Sequence, residues 1–401
     1  MCPSNEERAV SDPPSGAEEE RPRLLVEDTA GQRPFMRGIL VHSLMAHGVS
    51  FEDAFRAANA VRERLRGTAR VTRVELARLA REELGEAAPG EEPRAPLPAP
   101  IGVTGQGRKT PFSKGILSQS LLAAAIDPND AFDVAREIEG ELRRRGVREM
   151  DRRELRRLGY ETLKRLAGPR IAERYLVWRR HQEPEKPVIL LLGGATGSGK
   201  TALALEVAHR LGIPRVLSTD SIRQIMRIML SPELAPALHA SSYDAYRVLP
   251  SSPAGADPVI EGFRAQAEIV SVGVRAMMDR AVAENASLVL DGVSIVPGLL
   301  RTELYDERAH VIFLVIATLD VEAFRSRFVA RKRHESARGP HLYLEHLEEI
   351  LRIQDHFLEL ADRYGIPIVD NESFDRSVTS IIRHVTETLR KKGPFDVAEM
   401  L

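Results

Sequence analysis

From Pro187 onward, short apolar runs alternate with amphipathic stretches: Val188–Leu192, Arg215–Ser218, Ser287–Leu290, Val311–Ile316 and Ile366–Val369. Apolar runs this short, separated by segments of helical period, predict a parallel sheet flanked by helices. Residues 187–401 are enough for one such domain. Upstream the pattern changes. Pro34-Phe35-Met36-Arg37-Gly38-Ile39-Leu40 matches Pro111-Phe112-Ser113-Lys114-Gly115-Ile116-Leu117, and the register holds without gaps to Asp53-Ala54-Phe55 against Asp130-Ala131-Phe132. After a two-residue shift, Glu75-Leu76 meets Glu154-Leu155. Chance rarely yields so many identities in one register, so two copies of a small, mainly helical module are expected.

Each copy predicts three helices. The first carries an Ile-Leu-x-x-Ser-Leu face. The second, in the later copy, places Ala131, Val134, Ala135, Ile138 and Leu142 at helical spacing. The third begins near Thr72 or Asp151, both suitable N-caps ahead of Glu75 and Glu154. Only the later copy shows an extended lead-in (Ile101-Gly102-Val103) and a tail (172–180), which marks the first copy as the degenerate one. Residues 85–100, with five prolines and several acids, read as a linker. Residues 1–30, rich in Glu, Pro and Ser, read as disordered. The expected order is therefore a disordered 1–30, a first module at 31–84, a linker at 85–100, a second module at 101–183 and an α/β domain at 187–401.

The chemistry lies in Gly194-Ala195-Thr196-Gly197-Ser198-Gly199-Lys200-Thr201, directly after the first apolar run. Strand, glycine-rich turn and helix start in that order form a phosphate-binding loop. Backbone N–H groups cradle phosphates, Lys200 reaches the β- and γ-phosphates, and the Thr201 hydroxyl ligates Mg²⁺. The chain is expected to bind a nucleoside triphosphate, ATP with Mg²⁺, on a P-loop-type parallel sheet.

Charge and cysteine content narrow the class. Lys plus Arg number 57 against 58 Asp plus Glu, so no global field draws the chain to nucleic acid or anionic lipid. The basic run Arg143–Arg145 is interleaved with acids and reads as a solvated helix face. No run is apolar and long enough to span a membrane, the N-terminal residues have no signal-peptide core, and Cys2 is the sole cysteine. A cytoplasmic protein is expected, with homo-oligomerisation left open.

Asp220 and Asp291 close apolar runs, at the strand ends where ligands bind in open α/β sheets. Asp220 reads as a carboxylate orienting the acceptor hydroxyl, or as the N-cap of the helix after it. Arg223 and Arg227, four apart on that helix, read as an anion clamp or as a solvated face. Asp291 ends its run before Gly292 and takes the place of the acid that holds Mg²⁺, with Thr201 on the other side; its alternative is a turn residue. After the fourth run, Arg325–Arg333 holds the arginines of a closing lid, with Arg331 chosen to meet the transferring phosphoryl group and Arg327 and Arg338 behind it. Ser241, Ser242 and Tyr243 read equally as acceptor contacts and as polar loop. His239, His334, His341 and His346 lack metal-ligand spacing.

The Pro-Phe-Ser-Lys-Gly-Ile-Leu-Ser-Gln-Ser-Leu module joined to a P-loop domain resembles the 2-phosphoglycerate kinases. So do Leu217–Arg223, Ser241-Ser242-Tyr243, Asp291-Gly292-Val293 and Val296-Pro297-Gly298. The resemblance implies an ATP-dependent kinase acting on the 3-hydroxyl of 2-phosphoglycerate, with Lys200, Asp220, Asp291 and Arg331 in catalysis. Asp220, Arg223, Arg227 and Tyr243 would meet the small phosphorylated acid. The module is similar to the ATP-cone, which implies a regulatory nucleotide near Lys109 and Lys114. Two other readings stay open: a zeta-toxin-like kinase with a different acceptor, and a nucleotide sensor that transfers nothing.

Overall fold

The computed structural model describes residues 24–28, 31–85, 100–105, 107–181, 185–249, 254–331, 340–392 and 395–401. It divides into two compact units, Met1–Pro98 and Ala99–Leu401.

The first unit contains β1 (Leu25–Asp28), β2 (Gly31–Pro34), α1 (Arg37–Met45), α2 (Phe51–Arg64), β3 (Arg70–Thr72) and α3 (Arg73–Leu84). Its sheet runs β2-β1-β3, with β1 antiparallel to β2 and parallel to β3. Ser50 caps α2 and Thr72 caps α3, each hydroxyl accepting from a backbone N–H at 3.2 Å. Ala54, Ala58 and Val61 of α2 are fully buried, with Leu79 and Ala80 of α3 beside them. Strand β1 corrects the expectation that residues 1–30 are disordered throughout, and that only the second copy has an extended lead-in. Leu24-Leu25-Val26 is too short an apolar run to signal a strand. Its support is non-local, through Val26 set opposite Val71.

The second unit opens with the same arrangement: β4 (Gly102–Gly105), β5 (Arg108–Pro111), α4 (Lys114–Leu122), α5 (Pro128–Arg144), β6 (Glu149–Asp151) and α6 (Arg152–Ala167). The sheet order is β5-β4-β6, and Asp127 and Asp151 cap α5 and α6. A further helix, α7 (Pro169–Arg180), buries Tyr175, Leu176, Val177 and Trp178.

The remainder is a doubly wound domain. Its elements are β7 (Val188–Gly193), α8 (Lys200–Leu211), β8 (Val216–Ser218), α9 (Thr219–Met229), α10 (Pro236–His239), α11 (Pro258–Ala283), β9 (Leu288–Gly292), β10 (His310–Ala317), α12 (Val321–Arg331), α13 (Pro340–Glu345), α14 (Leu347–Tyr364), β11 (Ile368–Asp370), α15 (Phe374–Lys391) and α16 (Val397–Met400). All five strands are parallel, in the order β11-β10-β7-β9-β8. Strand β7 lies at the centre and every residue of it is buried, which is why Val-Ile-Leu-Leu-Leu shows no alternation. The five strands coincide with the five apolar runs of the sequence.

Module and P-loop domain share this unit. Trp178 Nε1 donates to the Leu211 carbonyl at 2.8 Å, closing an otherwise open carbonyl at the end of α8. Gln119 donates to the His209 carbonyl two residues earlier, and Arg390 pairs with Glu173 at 2.9 Å. The chain's last residues return to the module: Val397, Met400 and Leu401 pack on its core, and Arg156 Nη1 donates to the Met400 carbonyl.

Candidate active site

Strand β7 delivers the phosphate loop to the carboxyl edge of the sheet. Gly199 adopts φ +84° as the residue before α8, and no side chain caps that helix. Its first N–H groups are thus left for an anion. A Cβ at Gly199 would collide with the Asn371 amide, so glycine is required on steric as well as conformational grounds. Lys200 is buried, with Nζ donating to the Ala195 carbonyl at 2.6 Å and lying 3.4 Å from Ser198 Oγ. The ammonium is folded onto the loop it serves.

Beneath the loop, Thr201 Oγ1 donates to Asp291 Oδ2 at 2.6 Å. Asp291 is 1% exposed, and its other carboxylate oxygen, Oδ1, is buried without a hydrogen-bond partner. Burial pushes the Asp291 carboxyl above the ordinary aspartate range, opposed by the Thr201 hydrogen bond and by Lys200. A hard divalent cation fits this donor set: a hydroxyl and a carboxylate with an unsatisfied oxygen.

Asp220 enters from the neighbouring strand. The register sets Ser218 opposite Asp291. Gly292 (φ +153°) makes the close approach workable, because a Cβ there would strike the Thr219 side chain. The α9 N-cap is Ser218, whose hydroxyl accepts from Asp220 N–H at 3.1 Å. That corrects the alternative in which Asp220 itself caps. Its carboxylate is 74% exposed at the open edge, near enough to Asp291 to raise the latter's pKa.

The arginine pair on α9 behaves differently from the expected clamp. Arg223 donates to the Leu238 and Ala240 carbonyls, at 3.3 and 2.7 Å, which ties α9 to α10; its Nη2 lies 3.8 Å from Asp220. Arg227 donates to Gln224 Oε1 on its own helix. Tyr243 is 3% exposed and stacks on His346 at 4.9 Å, so its ring belongs to the core. Its neighbour Ser242 touches the loop instead, 3.4 Å from Thr196 Oγ1.

The lid arginines separate as well. Arg331 ends α12, and its side chain and all of Arg338 lie outside the described residues. Arg327 is placed on the loop itself, donating to the Ser198 carbonyl at 3.3 Å, to Thr318 Oγ1 at 2.7 Å and to the Asn371 carbonyl. The Asn371 amide donates to the same Ser198 carbonyl at 2.9 Å. Asn371 went unnoticed in the sequence, yet it follows the last apolar run just as Asp220 and Asp291 follow theirs. Lys109 and Lys114 are engaged outside the module's cavity, Lys109 with Glu149 at 2.7 Å and Lys114 with Glu139 at 3.3 Å.

A P-loop kinase is the class that this strand edge defines. Two family models match, the ATP cone domain over residues 103–184 and Zeta toxin over 173–246. Among curated relatives, the 2-phosphoglycerate kinase of Methanopyrus kandleri is 39% identical over 73% of this chain and 88% of its own. That of Methanothermobacter thermautotrophicus is 39% identical over 73% and 95%, and that of Pyrococcus furiosus 35% over 71% and 94%. The chain belongs to the 2-phosphoglycerate kinase family. Similar solved structures include shikimate kinase from Acinetobacter baumannii (16% identity, 51% of this chain, 96% of that chain, TM-score 0.30) and a gluconokinase from Sinorhizobium meliloti (13%, 53%, 100%, TM-score 0.30). Among the described residues, no helix is long and apolar enough to cross a membrane.

Proposed function

We propose that this enzyme transfers the γ-phosphoryl group of ATP to the free hydroxyl of 2-phosphoglycerate. The observation that carries the catalytic part is the Thr201–Asp291 hydrogen bond under the loop, with Asp220 open across the same edge. The acceptor follows from family membership. In this reading the N-terminal amides of α8 and Lys200 hold the β- and γ-phosphates. Thr201 and Asp291 are the residues that would hold Mg²⁺, which supplies charge neutralisation when bound. Asp220 orients the acceptor hydroxyl and takes its proton as the new O–P bond forms; the β–γ bridging bond breaks and ADP leaves. Positioning and electrostatics suffice, with no covalent enzyme intermediate.

Arg327, held on the loop by carbonyls, sets the loop's shape, and Arg331 remains the proposed lid arginine. Arg223, buttressing α9 beside Asp220, is the cation proposed for an acceptor anion, with Arg227 one turn on. Tyr243 serves as support behind Ser242. The second module is proposed to bind a regulatory nucleotide.

The test is ADP release by purified protein with ATP and Mg²⁺, offering 2-phosphoglycerate, 3-phosphoglycerate, glycerate and a nucleotide sugar. Selective turnover of 2-phosphoglycerate is expected. Preference for another acceptor would leave a P-loop kinase with a different substrate. Nucleotide binding without turnover of any acceptor would favour a sensor.

A further inference from the structure

Asn371 stands behind the phosphate loop, just past β11, at the opposite end of the sheet from β8 and the Asp220 that follows it. It is 4% exposed, and its backbone N–H donates to the Ala317 carbonyl at 2.8 Å, which continues the pairing of β11 with β10 and fixes the residue in place. Its side-chain amide reaches across 173 positions of sequence to donate to the Ser198 carbonyl at 2.9 Å. Arg327 donates to that same carbonyl at 3.3 Å and also to the carbonyl of Asn371, so the two donors are tied to each other as well as to the loop. The third partner of Arg327, Thr318 Oγ1 at 2.7 Å, belongs to a residue whose N–H and C=O are both bonded to the buried Gln354 amide. The brace on Ser198 is thus rooted in the core.

What matters about the Ser198 carbonyl lies across the peptide bond. In a trans peptide the C=O of one residue and the N–H of the next point in opposite directions. Two donors that draw the Ser198 oxygen toward β11 therefore aim the Gly199 N–H the other way, to the side where the loop is open. Gly199 sits at φ +84°, and a glycine exchanges between backbone conformations at little cost, so an unbraced peptide at this point is free to turn over. Successive N–H groups held facing one way are what makes a turn of this kind bind anions. The same side chain is a poor stabilising element for the fold. Asn371 Oδ1 is buried without a hydrogen-bond partner, and an unmet buried acceptor is destabilising. The productive bond of this amide is the one it makes to the loop.

We propose that Asn371 is a positioning residue for ATP: it sets the Ser198–Gly199 peptide so that the Gly199 N–H faces the nucleotide's phosphates, with Arg327 as the second arm of the brace. This rests on reading the loop as the ATP site, and adds a residue remote in sequence on which the loop's affinity depends. Asn371 acts through the loop and not on the acceptor, because β8 and α9, which carry Asp220 and Arg223, lie at the other end of the strand order. Its loss should therefore weaken the hold on ATP and leave the hold on the acceptor as it was.

The experiment titrates the full-length parent, Lys200→Ala, Asn371→Ala and Asn371→Ser with ATP and Mg²⁺ by isothermal calorimetry. Binding that disappears in Lys200→Ala is the loop's share, separate from any nucleotide held by the second module. That share should weaken about tenfold in Asn371→Ala, the upper end of what one hydrogen bond contributes. Asn371→Ser, with a hydroxyl too short to reach Ser198, should match it and guards against one variant failing to fold. In turnover assays KM for ATP should rise by a similar factor while KM for the acceptor holds. The melting midpoint without nucleotide should move by about 2 °C or less, since the lost bond is offset by removal of the unmet Oδ1. Unchanged ATP affinity, or affinity that falls only together with the midpoint and the acceptor KM, overturns the inference and leaves Asn371 a packing residue. A titration in which Lys200→Ala loses nothing overturns the loop reading itself, and this inference with it. The calorimetric arm needs no acceptor, so its result is independent of which substrate the enzyme uses.

Discussion

Thr201 and Asp291, ninety positions apart, meet at 2.6 Å beneath the phosphate loop, and this contact joins the first and third strands of the domain into one site. The Asp291 carboxylate is held there with one buried oxygen unsatisfied. Asp291→Asn should lower turnover on the order of 100-fold or more, the scale of losing one preorganised electrostatic group. Steady-state kinetics across a Mg²⁺ series would measure it, and near-normal turnover would remove Asp291 from the site.

The same variant should be more stable than the parent when metal is absent. Burial raises the folded-state pKa of Asp291. A raised pKa favours the protonated form, so its contribution is present below the usual aspartate value of about 3.9 and is lost as pH rises through the folded value. The advantage of Asp291→Asn should therefore grow with pH. Thermal melts in a chelator, from pH 4 to pH 8, would show it; a constant or shrinking difference contradicts the assignment.

Arg327 spans two carbonyls and a hydroxyl on three segments, which a single ammonium cannot match. Arg327→Lys should cost about 1–3 kcal/mol of stability by leaving buried acceptors unmet. Because two of its partners frame the loop, kcat/KM for ATP should fall with it. Urea melts and an ATP saturation curve at fixed acceptor test both; unchanged ATP kinetics would reduce Arg327 to a packing residue.

His181 and His310 form an edge-on ring pair at 5.2 Å where the module's last helix meets the start of β10. Burial, His181 and nearby cations push His310 down to about 4. The unfolded chain binds this proton near pH 6.5, so stability from this group is complete above that value and is lost as pH falls from about 6.5 to about 4. Replacing His310 with Gln should flatten the slope of unfolding free energy against pH in that window. An unaltered slope would show that other groups carry it.

Trp178 is buried and closes the Leu211 carbonyl. Trp178→Phe keeps the ring and removes the donor, so the loss should be about 1–3 kcal/mol for an unsatisfied acceptor. A chemical denaturation midpoint measures it, and no change would mean that water or a neighbour replaces the indole.

Much of the site was legible because its parts are local. The loop's glycines, Lys200 and Thr201 are contiguous, and the rule that polar residues after a strand lie at the sheet's carboxyl edge picked out Asp220 and Asp291, which the structure puts at that edge. Applied once more, it would have located Asn371 after Val369-Asp370. Where the sequence did not show a residue's surroundings, a neighbour remote along the chain supplied them. Arg223 looked like a free cation on a helix face, but carbonyls fifteen and seventeen positions away hold it. Tyr243 looked like an acceptor contact, but His346 stacks on it from more than a hundred positions away.

What the amino-acid sequence determined by itself was whatever rests on periodicity and contiguity: the five apolar runs, the phosphate loop, the duplicated module and the caps Thr72 and Asp151. Each is a property of neighbours along the chain, set by backbone geometry and side-chain period. Tertiary structure alone decided the strand order, the pairing of β1 in a segment with a short apolar signal, the seating of Arg327 on the loop, and the seam that sets Trp178 against the end of α8. Those depend on which distant surfaces bury each other, and burial is a sum over contacts that no local pattern records.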